Sequence, residues 1–292
     1  MDTDRTETSR STSAKKLKIA IVAGPTASGK SKEAIRIAQE CNGEIISVDS
    51  RQVYRGLDIG TEKITLEEMQ GIPHHLIDIR EPSEKYSAGD FAEDAKRLID
   101  EIASRGKLPI LAGGTHFYFD ALLYGLPPTE MDDDLREELE QHSTAELAEE
   151  VAKKDPERSA QLDPKNRRRL IRALELIRTY GRVPERKKIE VPYEIEWIIM
   201  NPPAEVLRAR IDARLKETLN RGLIDEVKRT REKVGDIRLN ELGLEYRLVG
   251  EYLRGERTEA SLLPALSSRL WHYARRQKAW LRKLESDAHS IK

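Results

Sequence analysis

Residues 24–31 read GPTASGKS and directly follow the apolar run LKIAIVA. This is the GxxxxGK(S/T) pattern of a phosphate-binding loop, in which backbone N–H groups and the N-terminus of the following helix bind phosphate oxygens. In this pattern Lys30 reaches a terminal phosphate and Ser31 ligates Mg²⁺, directly or through water. The sequence therefore predicts a bound diphosphate without specifying what is attached to it, and the candidate diphosphate-binding residues are Gly24, Pro25, Thr26, Ala27, Ser28, Gly29, Lys30 and Ser31.

A second chemical group, the carboxylate of Asp49, stands at the end of the next predicted strand, EIISVDS. A carboxylate there can accept a proton from an attacking group, an effect typically worth about 10²–10⁴ in rate. An equally simple role for Asp49 is to cap the turn that follows its strand. The strand LPILAGGT ends in glycines and Thr115, where a nucleoside triphosphatase would usually carry a Mg²⁺-binding aspartate. On these residues alone a small-molecule kinase remains open.

The elements that must position these groups alternate between strand and helix. Strands are predicted at 18–23, 44–50, 74–79, 107–115 and 193–203, and a helix follows the loop at 31–42. A second helix is predicted at 87–106, with Ser87 as N-cap, Asp90 three residues on and Gly106 as its stop. This alternation predicts an α/β fold, a P-loop NTPase-like parallel sheet wound on both faces. Ligands bind at the carboxyl ends of such strands, so the loop, Asp49 and Thr115 should converge.

The domain organisation follows from changes in composition along the chain. We expect a disordered polar tail at 1–16 and a P-loop core at 17–128. Charged helical segments then predict a helical insertion at 129–190, and 191–292 should supply a returning core strand and helices that complete the core.

Composition narrows the class of protein. The 292 residues are 38% hydrophobic and 35% charged, and without an apolar run of 18 residues we expect no membrane span. The first 16 residues resemble neither a secretory signal nor a transit peptide. The single cysteine, Cys41, predicts no disulfide framework and suits a reducing, cytoplasmic setting. Net charge is −1, but residues 163–188 carry ten Lys or Arg against three acids, a pattern that either binds a polyanion or forms solvated helix faces.

Seven segments together resemble the tRNA dimethylallyltransferases, also called tRNA isopentenyltransferases. The segments are GPTASGKS, IISVDSRQVYRGLDIGTEK, GIPHHLIDIREPSEKYSAGDF, LPILAGGTHFYFDALLYGL, RRLIRALEL, GLIDEV and YARRQKAWLR. They occur in the family's order between about residues 18 and 284. The part SVDSRQVYRGLDIGT of the second segment is the most specific. The resemblance implies that the phosphate loop holds dimethylallyl diphosphate. It also implies that the prenyl group goes to N6 of the adenosine 3′-adjacent to the anticodon in tRNA, with Mg²⁺ as cofactor.

The resemblance also implies roles for individual residues. Asp49 would act as the base, and Thr26, Lys30 and Arg214 would stabilise the leaving diphosphate. We expect Gln52 to pair with an adenine edge and the arginines to contact phosphates. The insertion would bind the anticodon stem-loop, and the expected tRNA-binding residues are Asp49, Ser50, Arg51, Gln52, Thr115, Arg136, Arg168, Arg169, Leu170, Ile171, Arg172, Gly243, Tyr246 and Arg247.

Several features depart from this pattern or admit another interpretation. Glu245 in GLEYR stands where the family often has glycine, and Ser31 replaces the commoner threonine. We expect Trp271, Tyr273 and Trp280 to pack in the core, and the adjacent His74 and His75 to be structural rather than metal ligands. We expect a monomer. The competing functions are an adenylate isopentenyltransferase, which uses a free nucleotide as acceptor, a P-loop small-molecule kinase, and a non-catalytic RNA-binding protein.

Overall fold

The computed structural model describes residues 16–127, 132–185 and 191–289. The expected disordered tail therefore lies outside the described residues, apart from Lys16. Contacts divide the chain into two compact units, one reaching Leu123 and resuming at Val191, the other spanning Tyr124–Glu190. We refer to these as the core unit and the helical unit.

The core unit is built on a five-stranded parallel sheet with the strand order β3-β2-β4-β1-β5. The strands are β1 (Leu17–Ala23), β2 (Gly43–Val48), β3 (His74–His75), β4 (Leu108–Gly113) and β5 (Tyr193–Ile199). Because every strand runs the same way, the carboxyl ends of β1, β2 and β4 meet at one edge. The predicted α/β fold with a parallel sheet is confirmed.

Helices of the core unit cover the sheet because its central strands are apolar on both faces. Alternate residues such as Ala20, Val22 and Ile45 pack against one helix, and the intervening Ile21 and Ile46 are fully buried on the opposite face. The core-unit helices are α1 (Lys30–Cys41), α2 (Ala88–Ser104), α3 (His116–Tyr124), α8 (Ala204–Asn220), α9 (Leu223–Leu239), α10 (Leu244–Leu253) and α11 (Glu259–His289).

The start of α2 confirms its predicted cap. The Ser87 hydroxyl accepts a hydrogen bond from Asp90 N, and the Asp90 carboxylate accepts one from Ser87 N. This reciprocal pair satisfies two N–H groups that the first turn would otherwise leave without partners. The helix ends at Ser104, and Gly106 follows with φ of +71°.

The strand predicted at 74–79 is wrong beyond its first two residues. Only His74 and His75 pair with β2. Leu76 and Asp78 then adopt φ of +62° and +55°, left-handed conformations that cannot continue an extended strand. The chain turns there because Asp78 N and Ile79 N donate to the carbonyls of Gln52 and Val53. The segment therefore supports the loop after β2 instead of extending the sheet.

The helical unit has its own hydrophobic core. Its helices are α4 (Asp133–Gln141), α5 (Thr144–Lys154), α6 (Pro156–Gln161) and α7 (Arg167–Tyr180). Leu147 and Val151 on α5 are fully buried against the apolar face of α7. Among the described residues of both units, no helix is long and apolar enough to cross a membrane.

Candidate functional site

The loop Gly24–Ser31 connects β1 to α1 in a tightly curled path. Ala27 and Gly29 have φ of +61° and +92°. A Cβ on Gly24 would lie 2.5 Å from Ser28 Oγ and 2.8 Å from the Met200 carbonyl, so a glycine is required there. The loop closes at the carboxyl end of β1, with the N-terminus of α1 directly behind it.

Lys30 is the cation at the base of this loop. Its Nζ donates to the Pro25 carbonyl at 3.3 Å, which folds the side chain back over the loop. Burial lowers the pKa of Lys30 to about 8, an effect that the Asp49 carboxylate opposes and the Arg214 guanidinium reinforces. An anion that binds beside such a lysine stabilises its protonated, charged form.

Thr26 is held from two sides. Arg214, on α8, donates from Nη2 to Thr26 Oγ1 at 2.8 Å, so this arginine lies at the phosphate loop instead of on a solvated helix face. Gln277, on α11, accepts a hydrogen bond from Thr26 N at 3.0 Å and donates to the Gly114 carbonyl at 2.9 Å. Sequence reasoning missed Gln277. The signal in the sequence was its position on one helix face. Gln277 shares that face with the apolar residues Leu270, Ala274 and Leu281, and all four are buried.

Asp49 lies one residue beyond the end of β2. Its Oδ1 accepts from Arg51 N at 2.8 Å and from Gln52 N at 3.3 Å, so the side chain does cap the turn. Its other oxygen has no hydrogen-bond partner among the described residues, and the residue is partly exposed. Ser50 N donates to Thr115 Oγ1, which connects the ends of β2 and β4. Asp49 and Thr115 therefore converge with the phosphate loop, as expected of adjacent parallel strand ends.

Gln52 holds the loop that follows β2 through its side-chain amide. Its Nε2 donates to the carbonyls of Thr61 and Glu62, and its Oε1 accepts from the Ser47 hydroxyl. An adenine edge would have to replace one of the two carbonyls as a partner of Nε2, and the expected pairing of Gln52 with adenine stays a prediction.

Tyr246 is fully buried in the core unit. Its hydroxyl donates to Glu226 at 2.6 Å, which gives the side chain a structural role, and its expected contact with tRNA stays a prediction. Gly243 lies at the N-terminus of α10, and Arg247 donates to the Asn240 carbonyl. Burial raises the pKa of the neighbouring Glu245 carboxyl to about 7, although Arg214 and Arg51 oppose the shift. The Glu245 carboxylate lies close to Arg51, since a Cβ on Gly243 would lie 3.8 Å from Glu245 Oε2 and 3.9 Å from Arg51 Cδ.

The predicted tRNA-binding residues of the helical unit divide into core and surface groups. Leu170 and Ile171 are buried in the hydrophobic core of that unit, and their expected contact with tRNA stays a prediction. Arg169 and Arg168 are exposed at the start of α7. Arg136 and Arg172 both contact the Glu175 carboxylate, so that part of their charge is neutralised within the unit.

The three aromatic residues of α11 are partly buried. Trp280 stacks on the buried Phe119 ring at a centroid distance of 5.7 Å. Trp271 lies under the Arg208 guanidinium. Tyr273 lies under the Arg276 guanidinium, and burial raises the pKa of its hydroxyl.

The donor set for a metal ion is sparse. Among the described residues no group of three or more His, Cys, Asp or Glu side chains could hold one. His74 and His75 bind the Ile72 carbonyl and the Glu44 carboxylate, in keeping with the expected structural role. Ser31 is exposed in the first turn of α1. This set fits a Mg²⁺ ion that is carried mainly by diphosphate oxygens and water, the usual manner for this cation.

A phosphate loop at the first strand end of a parallel sheet defines a P-loop-like α/β protein, as predicted. Residues 52–284 match the IPP transferase family. The tRNA dimethylallyltransferase of Halalkalibacterium halodurans is 41% identical over 279 residues, covering 91% of this chain and 88% of the relative. The chain belongs to the IPP transferase family, and the resemblance seen in the sequence is confirmed.

Solved structures agree with this assignment. The full-length tRNA isopentenylpyrophosphate transferase from Bacillus halodurans superposes with a TM-score of 0.69 at 40% identity, covering 91% of this chain and 87% of that one. A eukaryotic dimethylallyltransferase that acts on tRNA gives 0.77 at 29% identity, covering 91% of this chain and 70% of that one. The predicted enzyme class, a prenyl transferase, is therefore confirmed at the level of the family.

Proposed function

We propose that this protein transfers a dimethylallyl group from dimethylallyl diphosphate to N6 of the adenosine 3′-adjacent to the anticodon in tRNA. The observation that carries the proposal is the convergence of two groups at one sheet edge. The phosphate loop, with Arg214 on Thr26, lies at the end of β1, and the partly exposed Asp49 carboxylate follows β2. The chain belongs to a prenyl-transferring family. In such an enzyme this arrangement supplies a binding site for the leaving diphosphate and a carboxylate that can accept the proton.

The phosphate loop stabilises the leaving group. As the bond between the allylic carbon and the diphosphate oxygen breaks, its electron pair stays on the oxygen, and negative charge develops there. Lys30 and Arg214 are cations at this position, and Thr26 joins them through its hydroxyl. Donors fixed before the reaction stabilise such charge without reorganising, which makes this kind of contribution large.

Asp49 receives the proton. The adenosine amine forms its bond to the allylic carbon and must lose one N6 proton as it does so. Hydrogen bonds from Arg51 N and Gln52 N hold one Asp49 oxygen in place. The orientation of the other oxygen is thereby fixed before the adenosine binds. General-base assistance of this kind contributes about 10²–10⁴ in rate.

Mg²⁺ fits this site as a partner of the diphosphate. When bound, it would neutralise part of the negative charge on the leaving group. Ser31, at the first turn of α1, is the protein ligand placed to hold it.

The tRNA is bound by both units in this proposal. Arg168 and Arg169 on the exposed start of α7 contact phosphates, and Ser50, Arg51 and Thr115 border the acceptor at the sheet edge. Because every required group comes from one chain, we propose that a monomer is the active form. The acceptor and the single cysteine favour the cytoplasm as its setting.

The test is an acceptor competition assay. Purified protein is incubated with labelled dimethylallyl diphosphate and Mg²⁺, and unmodified tRNA, AMP and ATP are offered together. Label in tRNA, abolished by Lys30→Ala, supports the proposal. Label in AMP would favour the adenylate isopentenyltransferase, phosphate transfer from ATP would favour the kinase, and tRNA binding without turnover would favour a non-catalytic RNA-binding protein.

A further inference from the structure

The amide of Gln277 bridges two chain segments that approach each other at the site. Its Oε1 accepts from Thr26 N in the phosphate loop, and its Nε2 donates to the Gly114 carbonyl in the turn after β4. The residue is 4% exposed, so both of its polar groups are buried and both are satisfied. A glutamine has the geometry for this task because one side chain carries an acceptor and a donor.

Each end of the bridge continues into a group with a proposed role. At one end, the Thr26 hydroxyl accepts from Arg214, a cation proposed to stabilise the leaving group. At the other end, Gly114 precedes Thr115, whose hydroxyl accepts from Ser50 N next to Asp49. Gln277 therefore stands between the part of the site that receives the diphosphate and the part that receives the proton, and it contacts neither reacting group.

The bridge is closely packed on its Gly114 side. A Cβ on Gly114 would lie 2.5 Å from Gln277 Nε2 and 3.0 Å from the Gly24 carbonyl. The two loops are also joined directly, since Gly24 N donates to the Gly113 carbonyl at 3.3 Å. Gln277 is therefore the side-chain link between two loops that also meet through one backbone hydrogen bond.

We propose that Gln277 is a positioning residue, whose amide holds the phosphate loop and the turn after β4 at the separation that prenyl transfer requires. The inference rests on the proposed function. It predicts an effect on turnover because a displacement of about 1 Å at a reacting pair can cost about 10²-fold in rate. Binding of inorganic diphosphate should change little, because the amides that follow Thr26 and the Lys30 charge remain in place.

Two variants separate positioning from simple stability. Gln277→Met preserves the approximate length and volume of the side chain but makes neither hydrogen bond. Gln277→Glu keeps the acceptor for Thr26 N but turns a carboxylate oxygen toward the Gly114 carbonyl. Protonation of that carboxyl restores a donor, so its activity relative to wild type should recover as the pH falls, whereas that of Gln277→Met should not. Ser268→Ala, at an exposed position of the same helix, is the matched control.

The experiment measures kcat and KM for prenyl transfer, the Kd for inorganic diphosphate by calorimetry, and urea unfolding. We expect kcat of Gln277→Met to fall about 10²-fold, with the diphosphate Kd within about threefold of wild type in a folded protein. Unchanged kcat, an equal loss of diphosphate affinity, or no recovery of Gln277→Glu at lower pH would overturn the inference while wild type remains active. If wild type transfers nothing to tRNA, the proposed function fails and this inference falls with it.

Discussion

Glu226 offers the sharpest test of how the fold supports the site. It is 3% exposed and accepts four hydrogen bonds. One oxygen binds Asp58 N at 2.9 Å and Ile59 N at 2.7 Å, and the other binds Gly60 N at 2.9 Å and the Tyr246 hydroxyl at 2.6 Å. These three amides belong to the loop that follows β2, so one buried carboxylate on α9 holds that loop to the core.

The cost of removing this carboxylate can be worked from its bonds. In Glu226→Gln, the less costly orientation keeps an oxygen toward Asp58 N and Ile59 N. The NH₂ group then faces the Tyr246 hydroxyl, which can accept, and the Gly60 N–H is left opposite a donor. One buried N–H without a partner costs about 1–3 kcal/mol, so we expect a loss of about 2 kcal/mol. Glu226→Ala leaves all three amides without this partner and should cost about 4 kcal/mol or more.

Urea unfolding, monitored by tryptophan fluorescence, measures these losses of stability in the core unit. All three tryptophans, Trp197, Trp271 and Trp280, belong to the core unit, as Glu226 does. Glu232→Gln, at an exposed position on the same helix, should stay within about 0.5 kcal/mol of wild type. A Glu226→Gln variant as stable as wild type, or a Glu232→Gln control that loses as much stability, would refute this role of Glu226.

Three further predictions concern charge. Because burial lowers the pKa of Lys30 to about 8, kcat/KM for the diphosphate donor should fall as the pH rises above 8, and a flat profile to pH ~10 would contradict its role. Burial opposes ionisation of Glu44, but hydrogen bonds from Lys107, His75 and Arg105 outweigh it and hold its pKa at about 2. The stability that Glu44 adds is therefore present above its unfolded pKa of 4.5 and lost as the pH falls from there towards 2, by on the order of 3 kcal/mol. The stability difference between wild type and Glu44→Gln, from urea unfolding, should narrow over that range, and a constant difference would contradict this. Arg169→Ala should weaken tRNA binding and reduce the slope of log Kd against log salt by about 1, whereas an unchanged slope would exclude a phosphate contact.

The parts of the site that could be predicted are those determined locally. The loop at 24–31 and the acid after β2 are encoded by short patterns, and a parallel sheet must bring neighbouring strand ends together. The capping box at Ser87 and Asp90 is equally local, and it appears as predicted. In these cases the residues that contact one another lie only a few positions apart in the sequence.

The parts that could not be predicted depend on long-range packing. Gln277 contacts Thr26 across 251 residues of sequence, and Arg214 does so across 188. An amphipathic pattern shows that a helix is buried on one face, but it does not show which loop lies opposite. The same limit explains why the bonds by which Gln52 and Tyr246 support the loop after β2 could not be predicted from the sequence.

The most direct test of the central claim is a single-turnover measurement on an anticodon stem-loop RNA, with the donor bound beforehand. Product nucleosides are identified by mass spectrometry. We predict that wild type places one dimethylallyl group on N6 of the adenosine 3′-adjacent to the anticodon, and that Asp49→Asn slows this step by about 10²–10⁴ while it still binds donor and RNA. A modified nucleoside at another position, or an Asp49→Asn rate equal to that of wild type, would contradict the account.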